Sequence, residues 1–548
     1  MAYKAAAAPL GSCRRSGIRR HPSRRGRPLP AGPATLPPLQ RSGDLHVQSR
    51  WPFCCGRHVW PLWRCPLRLP RRWAGVITGW AGTDETDDVA VAGGAREVPR
   101  APGHRLGHLP LLKHGLLPAL AQLGAAAPVV RLQVGAVSKY VVSDGDMARE
   151  ILADKGQAFG RRRMVRAFLP LTGEGLFALE GTEHRDHRSL LAPAFSRAAL
   201  ARMIPRICEA ACEFAGRWPS DTALDLVHEM LELSADITVR CLFRSHTQWE
   251  TISWLAAKSA SLSKGVLLRM LAPAWSPPLP TPEAIARRRA THQLRRLVQA
   301  LPGRHTPDEH GGDVLSLLQA ATCPMQGPPG ITPTAMVDEM VTLLVASSEA
   351  TAMTLAWAWH ELADSPAAEQ AVQSEADALF NSGRPVSANI LDHLPFTSRV
   401  TTEILRLYPV PVMPRSALRE VTVSGFRLPR GAEVLLNLYG IHRNPTHYPS
   451  PHTFDPQRWS PDAASLPPRS AYLPFSSGGH RCIGAPLAAL TAPIALAALA
   501  ARFKLRPVDP HRKVRAVPGV VTRPNRLVVT ATARHGMRER ASTGNPDS

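Results

Sequence analysis

The chain has 548 residues, an apolar content of 44% and a formal net charge of +23, and it is long enough to bury a substantial core. Nine cysteines without a repeating C-x-x-C framework fit a reducing, cytoplasmic setting better than a disulfide scaffold. The charge invites a nucleic-acid or membrane-surface reading, but it is uneven: residues 1–98 hold 16 Lys and Arg against 6 Asp and Glu, a net +10, and no basic patch beyond them is interleaved with stacking aromatics.

Residues 1–98 stand apart in composition. "RRSGIRRHPSRRGRPLPAGPATLPP" is rich in Arg and Pro without an apolar period, and "WPFCCGRHVWPLWRCPLRLPRRW" concentrates Trp and Cys without helix or strand patterning. The run "AAAAPL" is too short for the apolar region of a signal peptide, and the prolines oppose an amphipathic transit peptide. The segment is expected to be a disordered extension, or one that a misplaced start codon adds to the reading frame. The intact mass of the natively expressed protein separates the two.

Residues 99–535 read as one folded unit, and 536–548 as a polar tail. "VVRLQVGAVSKYVVSD" (129–144) has two β-rich runs split by Gly135 and predicts a hairpin. "DMAREILADKG" is helical and ends at Gly156. Residues 157–181, with Arg161–Arg163 and several glycines, read as a loop. Helical patterns then run to about residue 320, interrupted by the Pro-rich "MLAPAWSPPLPTPE". Thr332 is placed as the N-cap of a long helix, with Pro333 at its first position. Its apolar run passes Val345 and Leu355 to Leu362, and Pro366 ends it. A further helix carries Phe396, Val400, Ile404 and Leu407 on one face. Residues 421–438 read as short strands with Gly turns. "APLAALTAPIALAALAA" (485–501) is uncharged for 17 residues, falls just short of the usual spanning length, and reads as a buried core helix. The balance is mainly α with small β-sheets.

The stretch "FSSGGHRCIGAPLA" (475–488) carries the chemistry. Gly478, Gly479 and Gly484 allow close backbone approach or positive φ around Cys482. Backbone N–H groups there can point at the sulfur, and the start of the following helix favours thiolate over thiol. A lone thiolate suits the proximal position of an iron porphyrin. A buried structural cysteine is the other reading that this loop leaves open.

The same stretch resembles the haem-binding signature of the cytochrome P-450 superfamily, soluble bacterial type. Phe475, Gly478, Cys482 and Gly484 fill its four defining positions, and His480, Leu487 and Ala488 also match. Ser476 stands where the family usually has Gly. The resemblance implies the cytochrome P-450 fold, haem b as cofactor and Cys482 as its iron ligand. It nominates His184 and Arg188 of "GTEHRDHRSLLAPAF", Arg415 of "PVPVMPRSA" and His480 as partners of the haem propionates. Glu403 and Arg406 of "TEILRLYP", with Arg458 of "FDPQRW", resemble the family's buried structural triad. In the long helix, "VASSEATAMTLAWAW" matches the distal motif at Ala346, Glu349 and Thr351. Ser347 replaces its Gly, and Ala350 replaces the Thr that normally helps protonate bound dioxygen. Glu349 is the expected member of a proton network. Ser347, Thr351 or a substrate hydroxyl would take the missing role, or the protein couples poorly and prefers peroxide.

The activity implied is that of a haem-thiolate monooxygenase inserting one oxygen atom of O2 into a C–H bond of an apolar small molecule, as a fatty acid, terpenoid or carotenoid hydroxylase. No flavin or ferredoxin domain follows the cysteine, so electrons are expected from ferredoxin and ferredoxin reductase, or a flavodoxin. Arg481 and Lys504 would suit an acidic partner. Substrate contacts are expected from 157–181, 262–280, Val345–Ala346 and Val410–Met413. Two rival readings stand beside this one. Ala350 favours a peroxygenase or a haem protein without turnover. Net charge alone favours a nucleic-acid or membrane-surface binder; neither nucleic acid nor a membrane span is expected.

Overall fold

The computed structural model describes residues 95–101, 108, 115–134, 137–154, 157–245, 249–271, 281–307, 312–322, 330–380, 388–463 and 465–534. The expected extension up to residue 94, the tail over 536–548 and most of the Pro-rich break lie outside these residues. In chain order come β1 (Arg96–Glu97), α1 (Leu116–Ala126), β2 (Val129–Val134), β3 (Val137–Val142), α2 (Gly145–Ala153), β4 (Phe159–Gly160), α3 (Arg162–Thr172) and α4 (Gly181–Leu191). Then follow α5 (Arg197–Ala215), β5 (Thr222–Asp225), α6 (Leu226–Leu242), α7 (Trp249–Leu271), α8 (Pro282–Gln299), α9 (Val314–Thr322), α10 (Pro333–Ala363), α11 (Pro366–Phe380) and α12 (Pro395–Leu407). The remainder is β6 (Met413–Ala417), β7 (Val421–Val423), β8 (Phe426–Leu428), β9 (Glu433–Leu436), α13 (Leu438–Ile441), α14 (Ala485–Ala500), β10 (Phe503–Pro507), β11 (Ala516–Val517), β12 (Arg523–Pro524) and β13 (Val528–Ala533).

The helix starts follow local chemistry. The Thr332 hydroxyl accepts from the Ala335 N–H, with Pro333 at the first helical position as expected. Asp144, Ser196, Asp225 and Thr281 cap α2, α5, α6 and α8 in the same way. Pro366 lies beyond the end of α10, which stops at Asp364, and opens α11, where its missing N–H costs nothing.

Four expectations are corrected here. Residues 157–181 are not a loop: α3 occupies their centre and buries Ala167, Phe168, Leu171 and Thr172 at helical spacing. The arginines and Pro170 masked that period. Thr222–Asp225 leaves the helical pattern and joins β13 as β5. Helix α11 and the strands β10 and β13 were not anticipated. The folded unit includes Arg96–Val98, which composition had grouped with the extension: Arg96 and Glu97 pair in parallel with Phe426 and Arg427, and Val98 is buried.

The expected hairpin forms as β2 and β3, with Val129 opposite Val142. It continues into a five-stranded sheet of order β2-β3-β9-β6-β4, with β3 and β9 parallel. The other sheets are β1-β8-β7, β10-β13-β5 and β11-β12. Helices α5, α6, α10 and α14 pack around one large core that includes Phe214, Phe243, Trp357 and Trp359. The α14 stretch Ile494–Leu499 is almost wholly buried, as its uncharged run required. Trp357 stacks on Tyr408 at 3.7 Å and donates to the Thr522 carbonyl at 3.0 Å. Among the described residues α10 is the helix long and apolar enough to cross a membrane, but 78% of its apolar window is buried inside the protein, which makes it a core helix.

Candidate active site

The Cys482 loop is held by close backbone contacts. Gly478 has φ +71, and a Cβ there would lie 2.1 Å from the Leu152 carbonyl oxygen, so only glycine fits. The Cys482 N–H donates to the Phe475 carbonyl at 3.0 Å, while the Phe475 ring is half-buried. The N–H groups of Gly484 and Ala485, at the start of α14, donate to the sulfur. Ser476 has φ +63, the left-handed region, which explains why a glycine is the usual occupant of this position.

Among the described free cysteines, Cys208 and Cys241 are buried, Cys212 is half-buried and Cys482 is exposed. The buried structural role therefore fits Cys208 and Cys241 and not Cys482. Its outer side is open, yet the loop crowds the sulfur. Desolvation raises the thiol pKa, opposed by the Gly484 and Ala485 donors and by the Arg188 and Arg481 charges. The expected thiolate preference is thus present in the donors but outweighed by burial in the chain alone. A coordinated metal ion removes such a proton outright.

Beside this loop lies a cluster of cations. His184, Arg161 and Arg415 are buried. The His184 and His480 rings sit 3.9 Å apart, with Nε2 of His184 3.0 Å from Nδ1 of His480. Arg161 Nη1 lies 2.8 Å from that same Nδ1. Arginine can only donate, so His480 Nδ1 is the acceptor, its ring is neutral, and His184 donates to it through Nε2. Burial first, then Arg161, pushes His184 down to about 4 and His480 down to about 3. Burial also lowers Arg161 to about 10 and Arg415 to about 9. Arg188 donates to the Arg481 carbonyl at 2.8 Å.

The acids close to this cluster are few. The Glu180 carboxylate accepts from the Arg161 backbone N–H at 2.5 Å and partly offsets Arg161 and Arg415; Asp154 acts weakly on Arg415. Arg161 Nε is buried without a hydrogen-bond partner. Buried cations lacking matched anions fit a ligand that brings its own negative charges, as haem does through two propionates. The residues present therefore suit that group. Arg161 is the member that sequence reasoning missed. Its signal was the Arg161–Arg163 run, read as loop charge rather than as the start of α3.

The face of α10 differs in kind. Between Ala335 and Ala363, Ala350 is the one exposed residue of a helix otherwise buried or half-buried. It therefore borders open space, flanked by half-buried Ala346 one turn earlier. The Ser347 hydroxyl donates to the Leu343 carbonyl at 2.6 Å and meets Thr238 Oγ1 of α6 at 2.9 Å, so it is committed away from Ala350. Thr351 is buried. Glu349 is buried and accepts from Arg523 Nη1 of β12 at 2.6 Å. Desolvation raises its pKa; Arg523 and a hydrogen bond from Ser263 of α7 act against that rise.

The expected triad assembles behind the cysteine wall. Arg406 is bidentate to Glu403, with Nε–Oε2 at 2.8 Å and Nη2–Oε1 at 2.7 Å, both side chains fully buried. Arg406 also donates to the carbonyls of His442, Pro451 and Thr453. Trp459 Nε1 donates to Glu403 at 2.9 Å. Arg458 approaches Glu403 at 3.6 Å and lies over the Tyr448 ring. The pair thus ties α12 to the irregular chain between α13 and the cysteine loop.

Three comparisons bear on this arrangement. The Cytochrome P450 family model, here written cytochrome P-450, matches residues 99–531. Cyclooctatin synthase of Streptomyces melanosporofaciens is 32% identical over 427 residues, covering 75% of this chain and 91% of that protein. Cyclooctat-9-en-7-ol 5-monooxygenase of the same organism is 33% identical with the same coverage. Pentalenene oxygenase of Streptomyces avermitilis is 29% identical, covering 78% and 95%. The crystal structure of the cytochrome P-450DA haem domain superposes with a TM-score of 0.69 over 81% of this chain and 98% of its own, at 22% identity, a likeness of fold. On the family match and these relatives, the chain belongs to the cytochrome P-450 family and is a haem-dependent monooxygenase, an oxidoreductase.

Proposed function

We propose that this enzyme hydroxylates an apolar small molecule of terpenoid or fatty-acid type, with haem b held by Cys482 and electrons from a separate ferredoxin and its reductase. The observation that carries the cofactor assignment is the meeting of Arg161, Arg415, His184 and His480 beside exposed Cys482 with few acids to balance them. Terpenoid substrates are favoured because relatives are named for cyclooctatin, cyclooctat-9-en-7-ol and pentalenene.

Haem, when bound, supplies the activation of dioxygen and the transfer of one oxygen atom to carbon. Cys482 would ligate the iron through Sγ, its electron donation tempered by the Gly484 and Ala485 N–H groups. Arg161, Arg188, Arg415, His184 and His480 would hold the propionates. Glu349 would carry a proton at its carboxyl group, oriented by Arg523 and Ser263. Ala350 offers room but no hydroxyl, and Ser347 is engaged elsewhere. Thr351 or a hydroxyl on the substrate would complete the path. The Glu403–Arg406–Arg458 triad fixes the backbone beneath the cysteine loop without taking part in chemistry. Arg481 is exposed and free to meet an acidic partner, whereas Lys504 lies 3.9 Å from Glu369. All four described cysteines are free, which supports a cytoplasmic location.

The test is a titration of the haem visible band with fatty acids, terpenoids and carotenoids, followed by turnover with a reductase system. A band shift with one class, and product formed from NAD(P)H, is the expected result. A band that moves with none, alongside turnover on hydrogen peroxide alone, would establish the peroxygenase reading that Ala350 leaves open.

A further inference from the structure

A cavity of about 200 Å³ lies between the end of α3, α7 and α8, with room for about seven waters. One wall is apolar: Leu171 of α3 with Leu262 and Val266 of α7. The other wall is basic, formed by Arg269, Arg287, Arg288, His292 and Arg295. Asp338 of α10 neutralises Arg295. Among the described residues no salt bridge is formed by Arg269, Arg287 or Arg288; Glu283, one turn before Arg287, feels its charge but bonds the start of its own helix.

Two features make this more than a charged surface. Gly265 of α7 carries no side chain where a Cβ would come within 2.6 Å of Arg287 Cδ and 2.7 Å of its Nε. The missing side chain lets Arg287 lie across α7. Arg287 Nε is then buried with no hydrogen-bond partner. Burial and the neighbouring Arg287 and Arg288 charges also lower Arg269. Crowded cations of this kind cost free energy until an anion joins them. The helix that walls the cavity also touches the active site. Ser263, next in sequence to Leu262, bonds the Glu349 carboxyl on α10 and accepts from the Val520 N–H. Its neighbours on α7 turn toward the cavity, so a molecule anchored there has α10 one helix away.

We infer that this cavity receives the anionic head group, carboxylate or phosphate, of an amphipathic substrate whose apolar part extends toward α10. The inference rests on the monooxygenase reading above and narrows its substrate to an acid. The apolar wall selects against a free ion, and the basic wall against a neutral alcohol.

The haem-loaded full chain is titrated by calorimetry with dodecanoate, dodecanol and inorganic phosphate, and the haem band is followed in parallel. Dodecanoate should bind at least about tenfold tighter than dodecanol, the gain typical of a charge-assisted contact. R287Q should weaken dodecanoate about tenfold and leave dodecanol unchanged, while R289Q, an exposed position on α8 outside the cavity, should change neither. Equal binding of dodecanoate and dodecanol by the unmodified protein overturns the anionic head group, even if both shift the haem band and the monooxygenase reading stands. That comparison decides the matter if R287Q fails to fold. Equal weakening by R289Q overturns it as a diffuse charge effect. Inorganic phosphate bound as tightly as dodecanoate reduces the cavity to a simple ion site. Tight dodecanoate binding with an unmoved haem band overturns the assignment to substrate and leaves the monooxygenase reading standing.

Discussion

The cysteine wall and the α10 wall of the site are built on opposite principles. On the cysteine side the frame is tied down: Arg406 uses its whole fork on Glu403 and three carbonyls, glycine alone fits at Gly478, and the cations beside the loop, with Arg161 Nε unpartnered, are left for a ligand. On the α10 side Ala350 lies open, and the carboxylate beside it, Glu349, is held by a partner from a distant strand. The difference follows from the two jobs. A cofactor of constant shape and charge can be met by a rigid frame with cations set out for its charges, whereas a substrate pocket takes its shape from the helices that cross over it.

The sharpest way to break this comparison is at Cys482. C482A should abolish the thiolate-ligated haem spectrum and product formation while leaving the far-ultraviolet dichroism intact; retention of that spectrum would remove Cys482 as the ligand. Next is the frame. R406A strips the fully buried Glu403 of its bidentate partner, leaving it only Trp459, the Asp455 N–H and Arg458 at 3.6 Å, a loss of about 3–5 kcal/mol, read as a lowered denaturant midpoint or as failure to fold. An equivalent loss from an α10-side substitution such as A350T would erase the distinction between the walls.

On the α10 side the expected effects are smaller and depend on pH. Glu349 has a raised pKa in the folded state, so between the ordinary carboxylate value and its folded value the native chain binds more protons than the unfolded one. Stability therefore falls as pH rises through that window. R523Q removes the charge that opposes the rise, so the window should extend upward, and the variant should go on losing stability to higher pH than the parent. E349Q should flatten the dependence. If Glu349 also moves protons, the pH profile of product formed per NAD(P)H shifts upward in R523Q. A350T should raise that same ratio severalfold at fixed pH if the missing hydroxyl limits coupling; an unchanged ratio assigns the relay to Thr351 or to the substrate. The smallest effect belongs to the cysteine loop. S476G relieves a left-handed serine at φ +63 and should stabilise the protein by about 0.5 kcal/mol, seen as a slightly higher melting temperature.

The cysteine wall was far more legible in the sequence than its opposite. Short spacing carries much of its information: Glu403 and Arg406 share a helix face because they are three apart, and the glycines around Cys482 announce a tight turn. The Thr332–Pro333 cap, the hairpin over 129–142 and the buried α14 were readable for the same reason, since each depends on neighbours along the chain. Arg161 was not readable, because its role depends on His480, 319 positions away in sequence. Nor was α3, whose period is interrupted by the exposed Arg162 and Arg166 and by Arg163, which is buried against Glu433.

Sequence by itself determined the mainly α class, the glycine turn around Cys482 and the shared helix face of Glu403 and Arg406, whereas Arg458 was nominated by resemblance to the family. Local φ/ψ preference, capping and helical spacing act over a few residues and survive without the rest of the molecule. Tertiary structure alone decided that Arg523 holds Glu349, that Ser347 turns to Thr238, and that Arg287 crosses Gly265 to line a cavity. Each of these joins segments far apart in the chain, and only the packing of the helices sets their distance.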